Sequence, residues 1–104
     1  MPHNMSMTCP LANGIHARPA SQIANFCNRF SADISWRNLR NGQIADGKSV
    51  LSLISADILF NDPVSMVLDG PDAIQAAEAL QAFVQDVLPY CDAPLTVSTA
   101  CRSL

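Results

Sequence analysis

Apolar positions along this chain change their spacing several times, and each change predicts an element. Met5 to Cys9 reads as a short first strand. Pro10 to Ile15 contains Asn13-Gly14, a strong turn signal. From His16 onward, Ala20, Ile23, Ala24, Cys27 and Phe30 recur at three- and four-residue steps, the pattern of an amphipathic helix. Pro19 falls in its first turn, where a missing N–H costs nothing. Ala32, Ile34 and Trp36 then alternate with Asp33, Ser35 and Arg37, as in a half-buried strand. Asn41-Gly42 marks a tight hairpin turn, and Gln43 to Ala45 reads as the returning strand.

Ser49 to Ser55 is apolar and mixed, and reads as a short helix with Ser49 as its N-cap. Asn61-Asp62-Pro63 is a further turn, and Val64 to Leu68 a last strand. Asp69-Gly70-Pro71-Asp72 opens a long helix, with Pro71 at an early position and Asp72 near the positive end. Its stripe is Ala73, Ala76, Ala77, Leu80, Phe83, Val84 and Val87, and Pro89 marks its stop. The order β-α-β-β-α-β-α predicts an α+β domain whose antiparallel or mixed sheet carries helices on one face. Residues 1–88 form the expected domain, and 89–104, with Pro94 and several Ser and Thr, a tail or linker.

With 104 residues the chain holds one domain, and 14% charged residues against 49% hydrophobic ones make it globular. A net charge of −3 and scattered Lys and Arg exclude a nucleic-acid partner, which needs clustered cations. No apolar run reaches the length of about 20 residues of a membrane helix, so no direct membrane insertion is expected. Met1-Pro2-His3-Asn4 lacks the blocks of a signal peptide, which points to the cytoplasm. Cys9, Cys27, Cys91 and Cys101 form no CxxC pair and read as reduced thiols, with Cys27 on the apolar face of its helix. A metal site built from them with His3 and His16 would draw on unrelated segments, and none is expected.

The chemistry concentrates in Asn13-Gly14-Ile15-His16-Ala17-Arg18-Pro19-Ala20. His16 stands where a helix begins, and the first N–H groups of a helix have no internal partners and attract negative charge. A phosphoryl group on the imidazole would meet those donors, and Arg18 could reach it with its planar fork. Gly14 permits the tight turn before the site, and Pro19 fixes the first helical turn. Neutral imidazole is a competent nucleophile toward phosphorus near neutral pH. A rival motif overlaps the centre of the chain. Gly42-Gln43-Ile44-Ala45-Asp46-Gly47-Lys48-Ser49 fits G-x-x-x-x-G-K-S, the phosphate loop of nucleotide-binding proteins. That loop needs a buried parallel strand before it and a long helix after it, whereas here the strand alternates and Asn61 to Pro63 cuts the next segment short.

Gly14-Ile15-His16-Ala17-Arg18-Pro19-Ala20 resembles the active-site signature of the HPr phosphocarrier family of the bacterial phosphotransferase system. Ala45-Asp46-Gly47-Lys48-Ser49-Val50-Leu51-Ser52-Leu53 resembles that family's second segment, and Gly70-Pro71-Asp72 fits the opening of its last helix. The resemblance runs from about Met5 to Leu88. It implies an HPr-like open-faced β-sandwich: a four-stranded antiparallel sheet with three helices on one face. It further implies phosphorylation of His16 on Nδ1 by phospho-Enzyme I, transfer to a histidine of a IIA domain, and assistance from Arg18. The Gly14 and Ala17 backbone would support the phosphate, and Ala17, Ala20, Val50 and Leu51 would form an apolar docking surface. No cofactor is implied, and the isolated domain would be a monomer. Ser49 matches the position where some members receive regulatory phosphorylation, and equally serves as a plain N-cap. Gly47, Ser52 and Asp57 depart from the residues common in the family. The segment from Pro89 on resembles the extended modules of multiphosphoryl transfer proteins. A regulatory HPr-like binding module that no longer carries phosphate is the alternative.

Overall fold

The computed structural model describes residues 2–91. Strand β1 spans His3–Thr8, β2 Asp33–Asn38, β3 Ile44–Asp46 and β4 Pro63–Asp69. Helix α1 spans Ala17–Cys27, α2 Val50–Ser55 and α3 Ala73–Asp86. The strands form one fully antiparallel sheet in the order β1-β4-β2-β3. The expected element order and fold class therefore hold. Cys101 and most of the expected tail lie outside the described residues. Leu88–Tyr90 form a 3-10 turn after α3, and Leu88 and Cys91 are buried with the core.

Alternation decides which sheet face is covered. Ile34, Trp36, Val64, Met66, Leu68 and Ala45 are buried, whereas Asp33, Arg37 and Asp69 on the other face are exposed. Ile23, Ala24, Cys27 and Leu53 of α1 and α2, with Ala76, Ala77 and Leu80 of α3, close the core from the helical side. Phe26 of α1 stacks on Phe83 of α3 with ring centroids 4.6 Å apart, joining the two long helices.

Boundaries moved where pairing extended beyond the local pattern. β1 starts at His3 because its whole length pairs with β4, from His3 opposite Leu68 to Thr8 opposite Pro63. The β2–β3 register sets Arg37 against Ile44, and Asn38 N–H donates to Gln43 O over 2.8 Å. Asn41-Gly42 is thus the tip of a four-residue loop from 39 to 42, and the returning strand is shifted one residue later than expected. Pro71 precedes the Asp72 cap instead of lying inside the first helical turn. Asp72 does not cap α3 with its side chain; its carboxylate accepts the N–H groups of Ser31 (2.9 Å) and Ala32 (2.8 Å). Those amides, the Ser31 one foremost, hold its carboxyl below the usual range.

Gly47 packs edge-on against the buried Trp36. A Cβ there would lie 2.8 Å from Ile34 O and 2.9 Å from the indole Cδ1 and Nε1. The departure at Gly47 is therefore steric: the room for a methyl is taken by tryptophan. Trp36 Nε1 has no partner at full hydrogen-bond geometry, and its interaction is a weak one with the Cys27 thiol. Burial pushes that thiol up to about 12, against the smaller opposing effect of Trp36. Gly47→Ala is expected to cost about 1–3 kcal/mol of unfolding free energy and to shift the fluorescence of Trp36, the sole tryptophan. Urea unfolding followed by that emission checks both, and an unchanged midpoint would count against the packing described.

Candidate functional site

The site is assembled by a loop that runs into a helix. Gly14 has φ +73°, and a Cβ on it would fall 2.5 Å from Ile58 O and 3.2 Å from Leu59 Cα. Only glycine satisfies both the left-handed conformation and this backbone approach. Gly14 N–H closes a turn on Leu11 O (2.9 Å), and Ile15 N–H donates to Ile58 O (2.9 Å). The loop before His16 is thus fastened to the segment that follows α2.

His16 is the N-cap residue of α1, extended at φ −100° and ψ −163°. Its imidazole makes no side-chain cap bond. The helical ladder opens with Ala20 N–H to His16 O at 2.9 Å. Ala17 and Arg18 therefore have no carbonyl within the helix to donate to, and Pro19 has no N–H at all. Main-chain donors for an anion at this helix start are confined to Ala17 and Arg18. Both side chains are exposed, and His16 is half-buried.

The other expected site residues divide. Leu51 is 77% exposed and Val50 half-buried at the start of α2, so both offer apolar surface. Ala20 does not: it is 0% exposed, sealed inside the core by the helix face that carries Ile23, Ala24 and Cys27. The docking expectation for Ala20 is corrected to a packing role. Ser49 is the N-cap of α2, its hydroxyl accepting from Ser52 N–H at 3.2 Å. Ser52 in turn takes Asp46 N–H on its own hydroxyl (2.8 Å).

The phosphate-loop motif lies across β3 and the turn behind it. The sheet is antiparallel, the helix that follows has six residues, and Lys48 Nζ donates to Phe30 O at 2.8 Å. None of the strand and helix framework that such a loop needs is present among the described residues.

A polar node beneath the loop escaped the sequence reading. Asn38, fully buried, donates to Ala56 O, Asp57 O and Asp62 Oδ2 at 3.1–3.3 Å. Arg40 Nε reaches both Asp62 oxygens at 2.9 Å, and its Nη2 reaches Asp57 O at 2.7 Å. Burial alone would raise the Asp62 carboxyl, but the Leu59 amide and the Arg40 guanidinium hold it below the usual range. Asp57 sits at φ +54°, which explains why glycine is common there; its exposed carboxylate pairs with Arg40 at 3.3 Å. Exposed Leu59 and Phe60 were also passed over, although with Ile58 they place three apolar residues directly ahead of Asn61-Asp62-Pro63, which is unusual for a turn.

The family model described as "PTS HPr component phosphorylation site" matches residues 4–86. The chain belongs to the HPr family. Multiphosphoryl transfer protein 2 of Escherichia coli K12 is 44% identical over 87 residues, covering 84% of this chain and 10% of that protein. Multiphosphoryl transfer protein 1 of the same organism is 38% identical over 102 residues, 92% of this chain and 12% of that one. The chain spans about a tenth of the length of these curated relatives. Among solved structures, a phosphocarrier protein HPr from Bacillus anthracis superposes with TM-score 0.71 and 33% identity, over 81% of this chain and 98% of its own. The histidine-containing phosphocarrier protein of Mycoplasma gives TM-score 0.76 and 27% identity, over 83% and 96%. No helix among the described residues is long and apolar enough to cross a membrane.

Acid should loosen the node beneath the HPr site. Because the native Asp62 carboxyl lies below the ordinary 3.8, the unfolded chain takes up its proton first as pH falls. The contribution is complete above the unfolded value and is lost as pH drops through the lowered native one. Unfolding free energy is expected to stay level from neutrality to about pH 5 and to fall below about pH 4. In Asp62→Asn that acid slope becomes shallower, without vanishing, because Asp72 is shifted the same way. Denaturant titrations at a series of pH values measure it, and equal slopes would refute the assignment.

Proposed function

We propose that this HPr-family domain is a phosphocarrier whose His16 accepts a phosphoryl group from phospho-Enzyme I and delivers it to a histidine of a IIA domain during sugar uptake. One observation carries the reading. His16 caps a helix whose first two residues, Ala17 and Arg18, present N–H groups with no carbonyl of the helix to bond, and whose third is proline. A phosphoryl group on His16 Nδ1 would lie at the positive end of the helix, and the Arg18 guanidinium adds a cation with a planar fork. Ile15, bonded to Ile58 O, and Gly14, packed close against the same carbonyl, set where the imidazole stands.

In each transfer the Nδ1 lone pair bonds to phosphorus as the donor's P–N bond breaks; onward transfer reverses the roles. Nothing is oxidised or reduced, and the carrier needs no metal or cofactor of its own. Val50 and Leu51 supply apolar contact for both partners, with the domain acting as a monomer in the cytoplasm. The domain boundary after residue 88, with a linker from 89 to 104, suits a module of a multiphosphoryl transfer protein, as the identity to such proteins supports. Phosphate on Ser49 would sit at the start of α2, beside Val50 and Leu51, and would oppose docking there.

Incubation with Enzyme I and phosphoenolpyruvate tests the reading. The chain is expected to gain one acid-labile phosphate, His16→Ala none, and Arg18→Ala the same phosphate at least about tenfold more slowly. No phosphate on the unaltered chain, or undiminished labelling of His16→Ala, would overturn it in favour of a regulatory module that binds without transfer.

A further inference from the structure

Asp62 takes no part in the chemistry proposed for His16, yet a continuous line of hydrogen bonds joins its carboxylate to the His16 main chain. Two peptide groups make up the line. In the first, Leu59 N–H donates to Asp62 Oδ2 (2.8 Å), and Ile58 O, at the opposite edge of the same planar unit, accepts from Ile15 N–H (2.9 Å). In the second, Ile15 N–H shares its plane with Gly14 O, which accepts from His16 N–H (3.2 Å). All three N–H groups point toward the carboxylate, and the bonds shorten as the charge is approached.

Bonds in such a line polarise one another. A trans peptide is also planar and stiff, so fixing its N–H fixes the direction of its carbonyl. The line thus transmits orientation as well as field. Its far end is held by Arg40, whose Nε meets both Asp62 oxygens at 2.9 Å and whose Nη2 meets Asp57 O at 2.7 Å. Asn38 Nδ2 ties Ala56 O and Asp57 O, each at 3.1 Å. Near the site, Gly14 lies so close to Ile58 O that a Cβ on it would be 2.5 Å away, which leaves neither plane room to move toward the other. His16 is then secured on both sides of its Cα, by Gly14 O on its N–H and by Ala20 N–H on its carbonyl (2.9 Å).

We infer that Asp62 and Arg40 are positioning residues for phosphoryl transfer at His16, acting through the Ile58–Leu59 and Gly14–Ile15 peptide groups. The inference rests on the carrier reading above. In-line transfer needs attacking nitrogen, phosphorus and leaving nitrogen aligned, and the imidazole takes its place from the His16 main chain. Loss of the charge pair at the far end lets both planes tilt and carries the ring nitrogen off that line. Asp62 is buried and offers no surface to a partner, so the loss falls on the rate of transfer and not on binding.

The test is steady-state phosphorylation of the full 104-residue chain by phospho-Enzyme I, with the chain as the varied substrate, in Asp62→Asn and Arg40→Ala. In both, kcat is expected to fall about tenfold or more with KM within about twofold. Lost stability alone gives the opposite split, since an unfolded fraction of a substrate raises KM and leaves kcat as it was. Gly47→Ala, destabilised through the core, is the control and is expected to keep its kcat. In proton–nitrogen correlation spectra the Ile15 and His16 amide protons of both variants are expected upfield of the parent's, as their bonds lose polarisation. Unshifted amide protons overturn the route through the two peptide groups. A kcat within about twofold of the parent's, or an equal loss in Gly47→Ala, overturns the positioning role alone, provided the parent is labelled on His16. A parent that gains no phosphate overturns this role together with the carrier reading. Should Asp62→Asn fail to fold, Arg40→Ala, whose side chain is 41% exposed, decides the matter.

Discussion

The Asp62 carboxylate and the groups that grip it decide where His16 stands. Asp62 is nearly buried, and a buried charge survives only if hydrogen bonds and a counter-ion replace its water. Here the replacements come from three places: Leu59 in the same loop, Asn38 at the end of β2, and Arg40 in the hairpin loop. Its main chain also brackets Cys9 beyond the end of β1. Three pieces of chain distant in sequence, at residues 9, 38–40 and 59–62, are thus tied at one point. The loop so fixed presents Ile58 O to Ile15 N–H, and Ile15 precedes the N-cap of α1. Rigidity reaches the site through the backbone, by way of the node.

The open-faced layout follows from the same economy. Helices cover one face of the sheet and leave the other to Asp33, Arg37 and Asp69. A small domain can bury only a modest core, and large side chains such as Trp36 fill it. Gly47 is where that filling limits the sequence: the indole occupies the space that a methyl would need. A turn of the chain that flanks the site segment at Ser49 is in this way set by the core beneath it.

Most of the fold was legible because its signals are local. The alternation through Ile34 and Trp36, the stripe from Ala73 to Phe83, the Ser49 cap and the turn at Asn61-Asp62-Pro63 each act within a few residues, and each element formed. The site was legible for a similar reason, since glycine, histidine, arginine and proline around one helix start lie within a single short segment. What local pattern could not show is pairing at a distance. Ala20 was placed by local pattern on the apolar stripe of α1 and by the family resemblance in a docking surface, and its burial follows the stripe. Asn38 and Asp62 read as ordinary strand-end and turn residues until the fold brings them together 24 positions apart. β1 and β3 were misplaced at their ends because register is fixed by the partner strand.

A carrier must hold its phosphoryl group well enough to receive it and loosely enough to release it, and the start of α1 has features that fit this balance. Interactions that favoured phospho-His16 strongly would deepen the intermediate and slow its discharge, because only what is gained at the transition state speeds a step. Pro19 removes one of the N–H donors that a helix start ordinarily offers, and His16 makes no side-chain cap bond that would have to break. Two main-chain donors and one exposed arginine remain. In the proposed transfer the N–H groups of Ala17 and Arg18 are fixed by the main chain, whereas the Arg18 guanidinium stands at the end of a side chain. On the proposed reading, the fixed donors define where the phosphoryl group rests, the arginine lowers the barrier on either side of that position, and proline keeps the resting state shallow.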